Sequence, residues 1–298
     1  MTGMTRVGFV GAGVMGAPMI ANLIRAGHVV RAYGRSPASR DRIEAAGGTL
    51  ASSVAGVAEG ADVLITMVAD SPDVQDVVLA TGGLAEACSE GQVFVDLSTI
   101  APSVAVEVHQ ALAARGVPAL DAPVSGGEQA AIDGTLSIMA GGDPATLEQV
   151  RPLLATMGST ITYVGPPGSG QLTKAANQLI VAANLQAVAE AVVLLERCGV
   201  DLEAALSAIG GGLAGSAVLD RKRTAFLTGT YEPGFRVDLH SKDLGIVGGI
   251  MREQGLSLPG TAIVTQLMSA LRARGDGGLD HSALLRLTRA LNGMESQQ

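Results

Sequence analysis

The sequence predicts an α/β fold in two parts, a doubly wound parallel sheet in the N-terminal half and an all-helical (all-α) C-terminal domain, joined by one long helix. Three observations carry this expectation. Short apolar runs alternate with helical periodicity from Arg6 to Val164, the pattern of strand–helix–strand units that wind a parallel sheet. Strand signals then cease, and Gly170 to Cys198 forms a proline-free stretch with apolar residues at helical spacing, enough for a helix of about eight turns. The composition, 47% hydrophobic and only 16% charged over 298 residues, suits strands buried on both faces and a chain of two domains.

Taken in order, Arg6–Val10 reads as the first strand, followed by a glycine-rich turn and a helix from Ala17 to Ala26 with Met19, Leu23 and Ala26 on one face. Gly27-His28 ends that helix and Val29–Tyr33 is the next strand, completing a right-handed crossover of about 30 residues. Val63–Met67, Val93–Asp96 and Pro118–Asp121 read as further strands, with helices over residues 37–46, 72–80 and 102–115. Leu136–Ala140 and Ile161–Val164 close the sheet, with a helix opening near Pro144 between them. The proline and glycine cluster from Gly165 to Gly170 suits a hinge, so the domains are expected over residues 1–165 and 166–298.

The formal charge of −8 and the absence of a Lys/Arg cluster argue against a nucleic-acid partner. The richest apolar stretches are cut by Gly, Asn, Gln or charge before they reach the roughly 20 residues of a membrane span. Met1 to Arg6 leads straight into a strand, leaving no room for a secretory signal, so a cytoplasmic location is expected. The two cysteines, Cys88 and Cys198, lack metal or redox spacing and read as buried free thiols. The four histidines show no HExxH pattern, and no metal site is expected.

Gly11-Ala12-Gly13-Val14-Met15-Gly16 forms GxGxxG between a strand and a helix. There the first glycine allows the tight turn, the second lets a pyrophosphate approach the backbone, and the third permits close helix packing. The helix N-terminus then faces the phosphates, which makes this half a Rossmann domain. After the second strand comes Gly34-Arg35-Ser36, with no acidic residue to bind a ribose 2′-hydroxyl. A guanidinium beside a hydroxyl favours NADPH over NADH.

Two further segments carry candidate chemistry. Ser125, Gly126 and Gly127 follow a strand and offer a hydroxyl with unobstructed backbone N–H groups, a nest for a carboxylate that by itself reads equally as an ordinary turn. Lys174 lies on the long helix with Asn177 at i+3 on the same face. A lysine whose pKa falls from about 10.4 toward neutrality can protonate a carbonyl oxygen as hydride arrives; alone, a helical lysine reads as a solvated surface residue.

Four segments, Gly8 to Gly16, Asp121 to Gly127 with Gly134 to Leu136, Gly168 to Asn177, and Lys242 to Leu244, together resemble the β-hydroxyacid dehydrogenase family over nearly the whole chain. The resemblance implies that Lys174 is the acid/base catalyst, that Ser125 to Gly127 hold a substrate carboxylate, and that Asn177 contacts substrate. It further implies cofactor contacts at Met67, Val68, Ala69 and Thr99, and Lys242 near the nicotinamide with Asp243 beside it in support. Without the resemblance, Lys242 and Asp243 read as a surface ion pair. Gly211 to Ser216, Pro233 to His240, Asp280 to Ala283 and Glu128 are similar to members that reduce tartronate semialdehyde (2-hydroxy-3-oxopropionate) to glycerate. Members that oxidise 3-hydroxyisobutyrate or 4-hydroxybutyrate share the same catalytic parts and are the alternative. A non-catalytic cofactor-binding interaction protein would be expected to lack the lysine. The long apolar helix implies a homo-oligomer, a homodimer or homotetramer.

Overall fold

In a computed structural model the strands of the N-terminal half send successive side chains to opposite cores. On β1 (Arg6–Val10) Val7 and Phe9 enter one core and Val10 the other. α1 (Gly16–Arg25), β2 (Val29–Tyr33), α2 (Pro37–Ala45) and the two-residue β3 (Thr49–Leu50) follow. On β4 (Val63–Thr66) Val63 and Ile65 oppose Leu64, and after α3 (Ser71–Val78) and α4 (Leu84–Ala87) the same alternation sets Val93 and Val95 of β5 (Val93–Asp96) against Phe94. This period of two, apolar on both sides, is what a sheet covered on both faces requires. Met19, Ile20 and Leu23 of α1 and Ile43 of α2 cover one face; Val74 and Val78 of α3 and Val108 and Leu112 of α5 (Pro102–Ala113) cover the other.

The remaining elements are β6 (Ala119–Asp121), β7 (Val124–Ser125), α6 (Gly127–Asp133), β8 (Leu136–Gly142), α7 (Pro144–Leu154) and β9 (Gly158–Gly165). The strand order is β3-β2-β1-β4-β5-β6-β8-β7, with β9 paired to β8. Parallel pairing holds from β3 to β6, but β6 and β7 both pair antiparallel to β8. That reversal departs from the all-parallel expectation. The hairpin-like return from β7 through the one short helix α6 leaves no room for a parallel crossover.

The structure describes residues 3–294; the first two residues of the Met1–Arg6 lead and the outer ends of the two expected domains lie outside them. The chain separates into two units, Met1–Lys174 and Ala175–Gln298. Residues 166–174 thus pack as part of the first unit. The cause is local: the backbone N–H groups of Gly168 and Gln171 donate to Asp121 at the end of β6, so residues 166–174 stay with the sheet.

α8 (Ser169–Arg197) begins in the first unit and continues into the second. In the second unit its Ala182, Leu185, Ala189 and Val192, at i, i+3, i+7 and i+10, form a core stripe. α9 (Leu202–Gly210), α10 (Ala217–Thr228), α11 (Val237–Gln254), α12 (Pro259–Ala273) and α13 (Leu284–Leu291) complete that core with Leu206, Phe226, Leu244, Met268 and Leu284. By length and composition α8 is apolar enough to cross a membrane, contrary to the expectation from sequence, because its Asn and Gln residues are too dispersed to offset the Ala, Val and Leu between them. Cys88 is buried as expected, whereas Cys198 is exposed, because it falls just past the last turn of α8.

Candidate active site

Register, not loop length, assembles the first unit's candidate residues. Tyr33, Val10, Thr66, Asp96 and Asp121 are successive partners across β2, β1, β4, β5 and β6. The segments that carry Gly34 to Ser36, Gly11 to Gly16, Met67 to Ala69 and Thr99 all lie just beyond this one row of strand ends, and Ser125 to Gly127 lie further on from β6, at the end of β7. The row spans the β1/β4 switch point, where chain direction across the sheet reverses and where open α/β sheets take their ligands.

The turn after β1 has the shape a pyrophosphate needs. Gly11 has φ +105°, and a Cβ there would lie 2.2 Å from the Met67 carbonyl oxygen; a Cβ on Gly16 would lie 1.9 Å from the carbonyl oxygen of Gly11. Gly13, between them, faces open space. Ala12 is buried in the core while Val14 is exposed and Met15 half-buried. No side chain caps the start of α1 and no acidic residue lies in its first turn, so the N–H groups and the positive end of the helix are available to an anion. These features fit a dinucleotide.

At the end of β2, Arg35 is 83% exposed and meets Asp73 only at 3.5 Å. A second guanidinium, Arg40, reaches back to the carbonyl oxygens of Gly34 (3.2 Å) and Arg35 (3.3 Å). The sequence reading missed Arg40, whose helical position one turn into α2 was the available signal. Ser36 is the N-cap of α2, its Oγ accepting from Ser39 N–H at 3.2 Å, so its hydroxyl is engaged in holding the helix start.

A buried polar network ties the ends of β4, β5 and β6 to α8. Asp96 Oδ1 accepts from Thr66 Oγ1 (2.8 Å) and Ser98 N–H (3.0 Å), and Ser98 Oγ accepts from Val68 N–H (2.9 Å). Gln171, 1% exposed, donates from Nε2 to the Ser98 carbonyl (2.8 Å) and accepts at Oε1 from Ile100 N–H (3.0 Å). Asp121 accepts from Gly168 N–H (2.8 Å) and Gln171 N–H (2.9 Å). Gly170 is required where the helix lands, since a Cβ there would lie 2.4 Å from the carbonyl oxygens of both Asp121 and Met139. Lys174, three residues after Gln171, is 7% exposed, which sets aside its reading as a solvated surface residue. Asn177 follows at i+3, half-buried.

Ser125 ends β7, and Gly126 (φ +145°) and Gly127 (φ +71°) carry the chain into α6 through backbone geometry that side-chain-bearing residues rarely adopt. A Cβ on Gly127 would meet nothing within 4 Å, so its backbone is open to a small anion.

In the second unit Lys242 Nζ pairs with Asp243 Oδ1 at 2.8 Å, and Asp243 is 2% exposed. Gln178 Nε2 donates to Asp243 Oδ2, and the Gln178 carbonyl lies 3.1 Å from His240 Nε2. The pair is thus largely buried and anchored to α8, not the exposed ion pair that sequence alone would suggest. Asp280 accepts from Lys222 Nζ (2.7 Å) and from the backbone of Gly234 and Phe235 (both 3.0 Å). This joins the segments around Pro233 and Asp280 ahead of α11.

Comparison with known proteins extends this geometry. Residues 6–165 match the NAD-binding domain of 6-phosphogluconate dehydrogenase, and residues 168–288 match the NAD-binding domain of NADP-dependent 3-hydroxyisobutyrate dehydrogenase. The chain is 39% identical to 2-hydroxy-3-oxopropionate reductase of Escherichia coli (strain K12), covering 94% of this chain and 96% of that one. Mycobacterium tuberculosis 3-hydroxyisobutyrate dehydrogenase with L-serine superposes with a TM-score of 0.88 at 33% identity, covering 96% of this chain and 100% of that one. Psf3 in complex with NADP+ and 2-OPP gives a TM-score of 0.88 at 29% identity, covering 94% and 99%.

Asp121 yields a prediction independent of catalysis. Burial pushes its carboxyl up from 3.8 to about 6, against the opposing pull of the Gly168 and Gln171 amides. Between those values the folded chain keeps a proton that the unfolded chain releases, so this contribution to stability falls as pH rises from about 4 to about 6. Asp121→Asn removes that dependence. Denaturation should show the variant gaining on the wild type by about 3 kcal/mol over this range, at roughly 1.4 kcal/mol per pH unit; a difference independent of pH would contradict the assignment.

Proposed function

The chain belongs to the family of NAD(P)-dependent β-hydroxyacid dehydrogenases, and from that premise we propose that it reduces tartronate semialdehyde to glycerate with NADPH, Lys174 acting as the general acid. The single observation that carries the catalytic assignment is the burial of Lys174 on the first turns of α8, one turn beyond a residue locked to the strand ends. The 2-hydroxy-3-oxopropionate reductase relative supports the substrate. The match to 3-hydroxyisobutyrate dehydrogenase supports the second reading, in which the substrate carries a methyl group in place of the hydroxyl.

A nicotinamide cofactor, when bound, would supply hydride to the aldehyde carbon. Gly11 to Gly16 would hold its pyrophosphate. By the resemblance, Met67 to Ala69, Thr99 and Lys242 would contact the cofactor, with Asp243 paired to Lys242. Ser125 with the backbone of Gly126 and Gly127 accepts the substrate carboxylate, and Asn177 orients the substrate. Lys174 Nζ gives a proton to the carbonyl oxygen as negative charge develops there, and takes it back in the reverse direction. Arg35, with Arg40 beside it, offers positive charge to a ribose 2′-phosphate and so favours NADPH.

The second unit supports assembly with further copies of the chain. Ile180 and Leu194 of α8 are 56% and 65% exposed, and only 33% of the helix's most apolar window is buried. A second copy is the natural cover for such a helix. Light scattering on the purified protein should give the mass of a dimer or tetramer, and a monomeric mass would refute this.

Lys174→Ala should bind NADPH with near wild-type affinity and lose about three orders of magnitude in turnover of tartronate semialdehyde, within the range general acid catalysis supplies. Near wild-type turnover would end the assignment. Arg35→Asp should lower kcat/KM for NADPH more than for NADH, by about tenfold for the loss of one exposed phosphate contact; an unchanged ratio would remove Arg35 from cofactor selection.

A further inference from the structure

Gln171 sits where three parts of the first unit meet. Its backbone N–H is held by Asp121 at the end of β6. Its side-chain amide spans the residues on either side of Thr99, donating to the Ser98 carbonyl and accepting from Ile100 N–H. Lys174 lies three residues further along the same helix, and helical side chains tilt toward the N-terminus. Both ends of one buried amide are therefore spent on the cofactor-side loop, while the backbone that carries it also carries the lysine.

Ser98 itself is clamped: Asp96 Oδ1 holds its N–H, Val68 N–H holds its Oγ, and Gln171 holds its carbonyl. The segments bearing Val68, Thr99 and Lys174 are thus linked by hydrogen bonds of 2.8 to 3.0 Å with no exposed member among Asp96, Ser98 and Gln171. We propose that Gln171 is a positioning residue that sets the placement of the Thr99 loop relative to Lys174, and hence of hydride donor relative to proton donor. The inference rests on the catalytic reading of Lys174. A displacement of about 1 Å between reacting groups can cost roughly 100-fold in rate, so a fixed link of this kind has a kinetic consequence beyond stability.

The chemistry of the amide dictates the test. Gln171→Met keeps the volume and removes both hydrogen bonds. Gln171→Glu keeps the shape, but when ionised has no donor for the Ser98 carbonyl; when protonated, its O–H donates and its C=O accepts, restoring both bonds. Burial raises the pKa of such a carboxyl, bringing the change into an accessible range.

Turnover of tartronate semialdehyde, or of methylmalonate semialdehyde if that is the better substrate, is measured with NADPH and its 4-deuterated forms from pH 5 to 9. Gln171→Met is expected to lose about 100-fold in kcat, with a larger deuterium isotope effect than wild type as hydride transfer becomes limiting. The Gln171→Glu activity, taken as a ratio to wild type, should rise as pH falls. Gln171→Met within twofold of wild-type kcat, or a Gln171→Glu ratio flat across pH, would overturn the inference, as would failure of both variants to fold, which would make the residue's role one of stability. Lys174→Ala measured alongside separates the two claims. If it retains wild-type turnover, the catalytic reading fails; if it is inactive while Gln171→Met is fully active, only the positioning role fails.

Discussion

The docking of the first turn of α8 onto the end of β6 is the contact on which the first unit's chemistry depends. Asp121 receives two backbone N–H groups from that turn, and Gly170 removes the Cβ that would otherwise collide with the strand. A carboxylate at a helix N-terminus is favoured by unsatisfied N–H groups and by the helix dipole. Here desolvation is the larger effect, and it leaves the carboxyl titrating near 6. The helix start is thus held by a group that would rather be neutral, which is tolerable because Gln171 makes two further connections around it through its side chain.

From this contact the rest of the candidate site follows by register. Tyr33, Val10, Thr66, Asp96 and Asp121 lie in one row, so segments far apart in sequence leave the sheet at one level. The glycine turn from Gly11 to Gly16 sits at the switch point of that row, and the turn bearing Lys174 is fastened to the row's β6 end. In the second unit, Gln178 anchors the Lys242–Asp243 pair in the same spirit: a buried charge pair held by a hydrogen bond to a neighbouring helix, which His240 also meets at the Gln178 carbonyl. Burial without such partners would be costly.

Local chemistry was legible in the sequence and long-range hydrogen bonding was not. The turn from Gly11 to Gly16 announces itself because Gly11 and Gly16 each answer a steric demand that no other residue meets, while Gly13 between them leaves open space. The strands of four or five residues were visible through apolar runs, but Thr49–Leu50 and Val124–Ser125 are strands only because a neighbour pairs with them. Gln171 reads as an ordinary polar residue on a helix, since its side-chain partners lie more than 70 positions away. Ser36 was read for its hydroxyl, yet the proline at position 37 makes it a helix cap first. Lys174 and the Lys242–Asp243 pair gained meaning from resemblance, and their burial is what the sequence alone did not show.

The central claim is a reaction, and the most direct measurement follows it as it happens: nicotinamide absorbance after rapid mixing of the purified protein and NADPH with tartronate semialdehyde or, separately, methylmalonate semialdehyde. The account predicts rapid oxidation of NADPH with tartronate semialdehyde and much slower oxidation with the methyl-bearing aldehyde. Activity confined to methylmalonate semialdehyde would contradict the substrate while leaving the catalytic residues in place, and no oxidation with either would contradict the proposed reaction.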